Sequence, residues 1–211
     1  MRCSAHRGEI LHFLDDPEIA GEEAAVHWVD GLLVIEDGFI VDAGPYADLH
    51  SRVPAEVEII HHDNALLIPG MVDTHIHYPQ CDVIAAYGAQ LLDWLEKYTF
   101  PAEGRFEDQA HAAETARFFL DELLRNGTTT ALVFGTVHPQ SVDAFFAEAQ
   151  SRRMRMICGK VMMDRNAPET LLDTAESGYR DSAALIRRWH GKGRLGYAVT
   201  PRFAPTSTDA Q

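Results

Sequence analysis

The chain has 211 residues, 46% of them hydrophobic and 24% charged, values that exclude a disordered, collagen-like or coiled-coil chain. The length allows one domain, or a small domain with part of a larger one, and falls short of a complete (β/α)8 barrel plus a second domain, since the barrel takes roughly 250 residues. Eighteen Lys and Arg against 32 Asp and Glu leave a net charge of −14, which excludes an electrostatic footprint for nucleic acid or for an anionic membrane.

The predicted elements begin with an all-β stretch over residues 1–66. Its first apolar run, Ile10 to Leu14, is interrupted by His12 and is too short for a signal-peptide core. Nothing further along approaches the ~20 apolar residues of a membrane span. Leu32–Ile35 and Phe39–Val41 read as strands flanking Glu36-Asp37-Gly38. An Asp-Gly pair between apolar runs is a hairpin signal. A third strand, Glu56–Ile60, leads into a His61-His62-Asp63-Asn64 turn.

From residue 67 the pattern becomes strand, loop and helix in alternation. A strand is expected over Leu67–His75. A helix follows over Phe106–Asn126, with Ala113, Ala116, Leu120 and Leu123 on one stripe and Asn126-Gly127 at its C-terminus. Then come a β-branched strand at Thr128–Phe134, a helix at Ser141–Ser151 and a strand at Met156–Met163. The last helix, Ala175–His190, places Tyr179, Ala183, Ile186 and Trp189 on one face, and Leu195–Val199 is the fourth strand. Strands alternating with helices imply parallel pairing through crossovers. Thr208 to Gln211 fits the T-x-x-Q pattern that opens a helix, so the chain reads as truncated at a helix start.

Three cysteines, Cys3, Cys81 and Cys158, are far apart and odd in number. They form no disulfide framework, and a cytoplasmic, reducing setting is expected.

Chemistry concentrates in Pro69-Gly70-Met71-Val72-Asp73-Thr74-His75-Ile76-His77. Alternation along a strand points His75 and His77 the same way, so two imidazoles at a strand end can share one zinc ion. With 11 histidines in the chain, H-x-H alone is a weak signal. Its place at the end of an apolar strand strengthens it, because barrel enzymes keep their sites on that face. Elsewhere, His111 and Glu114 form an H-x-x-E, but inside a predicted helix. Tyr98, Phe100 and His138 are open between pocket and packing roles. The H-x-E and P-C-x-x-C signatures of cytidine-deaminase-like enzymes are absent from the sequence.

P-G-x-V-D-x-H-x-H resembles the first-strand signature of the amidohydrolase superfamily. Leu91 to Glu103 (LLDWLEKYTFPAE), Asn126 to Thr130 (NGTTT), Gly159 to Asp164 (GKVMMD) and Val199 to Phe203 (VTPRF) resemble, within it, the guanine deaminase family. The resemblance implies an α/β fold. It would be the first half of a TIM-like (β/α)8 metal-dependent hydrolase barrel over 67–211, preceded by part of a small β-sandwich over 1–66. It implies zinc held by His75 and His77, and a purine contacted by His77, Gln80, Arg202 and Phe203. Phe offers a stacking surface for a flat base, and Arg and Gln offer donors for O6 and ring nitrogens. It excludes Cys81 as a ligand.

The implied reaction is hydrolytic deamination of guanine to xanthine and ammonia, in a protein that is homodimeric when full length. The family's acid/base Glu and its later metal ligands come from strands beyond the fourth, so they are expected beyond Gln211 and the 211 residues are expected to be inactive alone. Two other readings stay open at this stage. One is a related amidohydrolase acting on another aminated heterocycle, such as a triazine or pterin. The other is a non-catalytic fragment that needs a complementing partner.

Overall fold

A computed structural model describes residues 3–88 and 90–211. It divides into two compact units, Met1–Pro69 and Gly70–Gln211.

The first unit holds β1 (Cys3–Phe13), α1 (Pro17–Ala20), β2 (Ala25–Glu36), β3 (Phe39–Pro45), α2 (Tyr46–Leu49) and β4 (Ile59–Leu67). Its sheet runs β3-β2-β1-β4, antiparallel except for the β1–β4 pair. The expected hairpin joins β2 to β3. Asp37 and Gly38 sit at φ 50° and 87°, the left-handed pair that a two-residue hairpin turn requires. Ala5, Leu32, Val34 and Leu49 make the small core.

Two expectations are corrected in this unit. β1 passes unread in the sequence because His6, Arg7 and Glu9 interleave its apolar residues. The His61–Asn64 stretch does not end a strand. It lies within β4, where the register slips between Arg7↔His61 and Glu9↔Leu66, and Asn64 takes φ 55°. Turn-forming residues here make an irregularity inside a ladder. Leu66 and Leu67 belong to β4 through their pairing with Glu9 and Ile10, so the next strand starts later than Leu67.

The second unit holds β5 (Met71–His77), α3 (Leu91–Trp94), α4 (Phe100–Gly104), α5 (Gln109–Arg125), β6 (Thr128–Phe134), α6 (Pro139–Ser151), β7 (Arg155–Gly159), β8 (Val161–Met162), α7 (Ala175–Trp189), β9 (Gly196–Tyr197) and β10 (Thr200–Pro201). A four-stranded sheet runs β5-β6-β7-β9, every pair parallel. β8 and β10 form a separate parallel pair.

The predicted strand Met156–Met163 therefore breaks in two, as β7 and β8, while Leu195–Val199 shortens to β9 and is followed by β10. The β7–β8 break comes between Gly159 and Val161. A side chain at Gly159 would collide with the Ala198 carbonyl and the Thr200 hydroxyl, so only glycine lets the two strands come this close.

Helices α5, α6 and α7 supply the core on one side. Ala112, Ala116, Phe119 and Leu120 from α5 and Val142, Phe145, Phe146 and Ala149 from α6 bury against Ala131, Val133, Met156 and Cys158. On α7 the buried residues are Gly178, Ser182 and Leu185, one position before the predicted stripe, and Tyr179 is exposed. Small residues face inward there, and Met162 lies within ordinary contact of where a Gly178 side chain would project. Thr208 does not cap a helix, because its backbone N–H and hydroxyl donate to the Asp164 carboxylate. Among the described residues, no helix is long and apolar enough to cross a membrane.

Candidate functional site

His75 and His77 stand at the C-terminal end of β5. An extra residue bulges from β5 between Asp73 and Ile76, relative to β6, and the Asp73 carboxylate accepts the His75 backbone N–H at 2.9 Å. Such bulges re-aim side chains next to sites. The two rings lie 5.3 Å apart. Phe134, at the end of β6, stacks on His77 at 4.6 Å and lies 5.1 Å from His75.

Burial pushes the His77 imidazole down to about 3, helped by the nearby Arg202 charge and then by His75. His77 is thus neutral, the form that binds metal. Its buried Nδ1 has no hydrogen-bond partner. A neutral ring with an unpaired nitrogen beside a second imidazole suits two positions of a zinc ion. Among the described residues, no third His, Cys, Asp or Glu joins them in a group able to hold a metal.

A cavity of about 360 Å³ opens beside the pair, lined in part by His75, His77, Gln80, Cys81, Ile84 and Trp94. Gln80 follows β5 in a short 3-10 turn, whose buried Tyr78 hydroxyl donates to the Ser141 carbonyl at 2.7 Å and ties the turn to α6. Burial raises the Cys81 thiol to about 11, so in the metal-free protein it is a thiol at neutral pH. Arg202 follows β10, its backbone N–H held by the Met162 carbonyl at 3.2 Å. Phe203 packs against the cluster of Leu95, Phe100, Val137, Val161, Met163 and Leu171.

The residue that sequence reading missed is Glu103, on α4. Its side chain is fully buried, as is nearly all of Arg202. Arg202 Nη1 donates to both carboxylate oxygens, at 2.7 and 2.6 Å, and Gln80 Nε2 donates to Oε1 at 3.1 Å. Glu103 thereby joins two of the expected base-contacting residues, which are 122 positions apart. Its signal was available, as the acid closing the Leu91–Glu103 motif.

The remaining candidates sort by position. Phe100 is buried, with the Arg202 guanidinium 6.0 Å above its ring, while Tyr98 lies 5.1 Å beneath the Lys97 ammonium. His111 and Glu114 lie on α5, where His111 packs edge-on against Phe106, away from any strand end. His138 precedes α6 with Nε2 buried and unpartnered.

Burial lowers the pKa of His138, as it does for His6 and His77. All three take up a proton more readily in the unfolded chain than in the fold. Their contribution is complete above the ordinary value of 6.5 and is lost as pH falls below it, toward about 3 for His77. Metal-free protein is therefore expected to lose thermal stability progressively below pH 6.5. Melting curves across that range check this, and a flat profile between pH 6.5 and 4 would contradict it.

The amidohydrolase family model matches residues 66–211. The guanine deaminase of Escherichia coli (strain K12) is 54% identical over 204 residues, covering 96% of this chain and 46% of that protein. The crystal structure of guanine deaminase from Bradyrhizobium japonicum superposes with a TM-score of 0.95 at 43% identity, over 100% of this chain and 46% of that one. Guanine deaminase from C. acetobutylicum, solved with bound guanine in the active site, gives a TM-score of 0.84 at 27% identity, over 99% and 48%. The chain spans about half the length of the curated relatives it matches. With its signature strand ending in the paired histidines and its parallel α/β sheet matched throughout, the chain belongs to the amidohydrolase family.

Proposed function

We propose that the chain contributes the first half of a guanine deaminase, with its parallel sheet forming the opening strands of a (β/α)8 barrel and its first unit part of a β-sandwich. The observation that carries this is the adjacency of two features. A histidine pair able to ligate zinc, with His77 held neutral by burial, stands beside the Arg202 charge, and Arg202 is joined through Glu103 to Gln80. Metal-ligating and base-recognising groups thus meet at one strand-end face, which is where a purine must lie for a metal-activated water to reach its ring.

In this reading His75 and His77 hold zinc, which when bound lowers the pKa of water and supplies hydroxide near neutral pH. Phe134 holds both imidazoles by contact, stacked on His77 and tilted against His75. Arg202 and Gln80 fix the base by its hydrogen-bonding edge, and Phe203 offers it an aromatic face. Held in this way, guanine loses its exocyclic amine as ammonia and leaves as xanthine, with the proton shuttle supplied from outside the described residues.

The test is turnover by zinc-loaded protein, both as this chain and in its complete reading frame, across guanine, adenine, cytosine and an aminotriazine. The expected result is xanthine formation, with guanine preferred, in the complete reading frame, and no turnover by this chain alone. Selective turnover of the triazine or the pyrimidine would overturn the reading.

A further inference from the structure

We propose that Glu103 is a positioning residue that sets the hydrogen-bond polarity of the base-recognising wall. This rests on the guanine deaminase reading and adds to it which atom of each recognition residue meets the base.

A buried carboxylate opposite a guanidinium only accepts hydrogen bonds. Gln80 must therefore turn its amide nitrogen toward Glu103, as the 3.1 Å contact shows. That leaves the Gln80 carbonyl oxygen, Oε1, for the cavity that Gln80 lines. Nε2 keeps a second hydrogen, so Gln80 offers the base an acceptor at Oε1 in addition to the donor expected from the sequence.

Arg202 is held differently. Glu103 takes the Nη1 end of the fork with both oxygens, leaving the Nε and Nη2 donors outside that pair. The guanidinium plane is also restrained by the Phe100 ring, 6.0 Å away. The wall thus presents one acceptor and a set of donors. Guanine places a ring N–H beside its O6 and ring-nitrogen acceptors, which matches that pattern. Adenine presents an amine and a bare ring nitrogen in their place, which opposes it. Glu103 touches neither metal nor base in this account and acts through Gln80 and Arg202.

The test uses zinc-loaded protein in its complete reading frame, with Glu103→Gln, Glu103→Asp, Arg202→Lys, the pair Gln80→Leu/Arg202→Met and the triple with Glu103→Gln. Steady-state kinetics on guanine, zinc content and the dissociation constant for xanthine are read together. Glu103→Gln is expected to raise KM and weaken xanthine binding by roughly 10–100-fold, while kcat moves less than about threefold and zinc content is unchanged, because lost binding common to ground and transition states appears in KM.

Glu103→Asp recovers part of the loss. In the Gln80→Leu/Arg202→Met background, adding Glu103→Gln changes KM by less than about twofold, since residues acting through one another do not add. A merely structural Glu103 would instead lower turnover per mole of protein at unchanged KM, and would cost as much in the triple variant. Either result overturns the proposal. If Glu103→Gln does not fold, Glu103→Asp carries the test: it keeps the charge but shortens the reach to Gln80 and Arg202, and a smaller KM-selective defect is expected. If wild-type protein deaminates guanine and KM is untouched in every variant, the polarity inference alone falls. If wild-type protein leaves guanine unchanged and takes another substrate, the functional reading falls and takes this inference with it.

Discussion

If the proposed zinc site and guanine deaminase reading hold, His77→Asn is expected to strip zinc from the full-length protein and lower guanine turnover by on the order of 10³-fold or more, since a bound metal brings the pKa of water down from 15.7 to about 7. Catalytic zinc usually has three protein ligands, so losing one of the two proposed on β5 would leave too few to retain the ion. The effect should be specific to the site. His77 is partly buried and stacked on Phe134, and a similarly shaped polar side chain fills that position without an imidazole nitrogen. Zinc per chain by atomic absorption, read beside turnover, checks this, with His75→Asn as the parallel case. Full zinc occupancy with normal turnover in both variants would remove these residues from the metal site.

Asp173→Ala is expected to destabilise the protein by about 3–5 kcal/mol, the cost of leaving a buried charge without its partner. Lys160 and Asp173 form an ion pair in which both side chains are buried. Lys160 sits at the break between β7 and β8, and its ammonium also donates to the Val161 carbonyl at 3.1 Å. Asp173 exchanges a second set of bonds with the backbone of Met163. The pair therefore pins the segment from which the Met162 carbonyl holds the Arg202 backbone. For a chain of this size the loss corresponds to roughly 10 °C in melting temperature. A Lys160→Met/Asp173→Leu double variant should regain most of it, because apolar replacement of a whole buried pair is often neutral. A single-variant loss below about 1 kcal/mol would show that water reaches the ammonium.

How much of this was legible in the sequence depends on the range of the interaction. Period and capping located α5, α6 and α7 to within a few residues, because those signals come from neighbours three and four apart. Strand ends were read less well. At the β7–β8 break the sequence shows only a lone Lys160 inside an otherwise apolar run, and what ends β7 is the approach of Ala198 and Thr200. The inward face of α7 was misread by one position for a related reason. Gly178 and Ser182 bury because the sheet comes close to them, not because they are apolar.

At the site, His75 and His77 could be named from local spacing, and Gln80, Arg202 and Phe203 from the resemblance alone. Sequence by itself determined the α/β alternation, the hairpin at Asp37-Gly38 and the histidine pair, each written in residues adjacent along the chain. Only the tertiary structure decided that Glu103, Gln80 and Arg202 form one hydrogen-bonded unit, and hence which way the Gln80 amide faces. The physical reason is that a buried carboxylate must find donors wherever the fold provides them. These donors come from the turn after β5 and the end of β10, and nothing local to Glu103 specifies either.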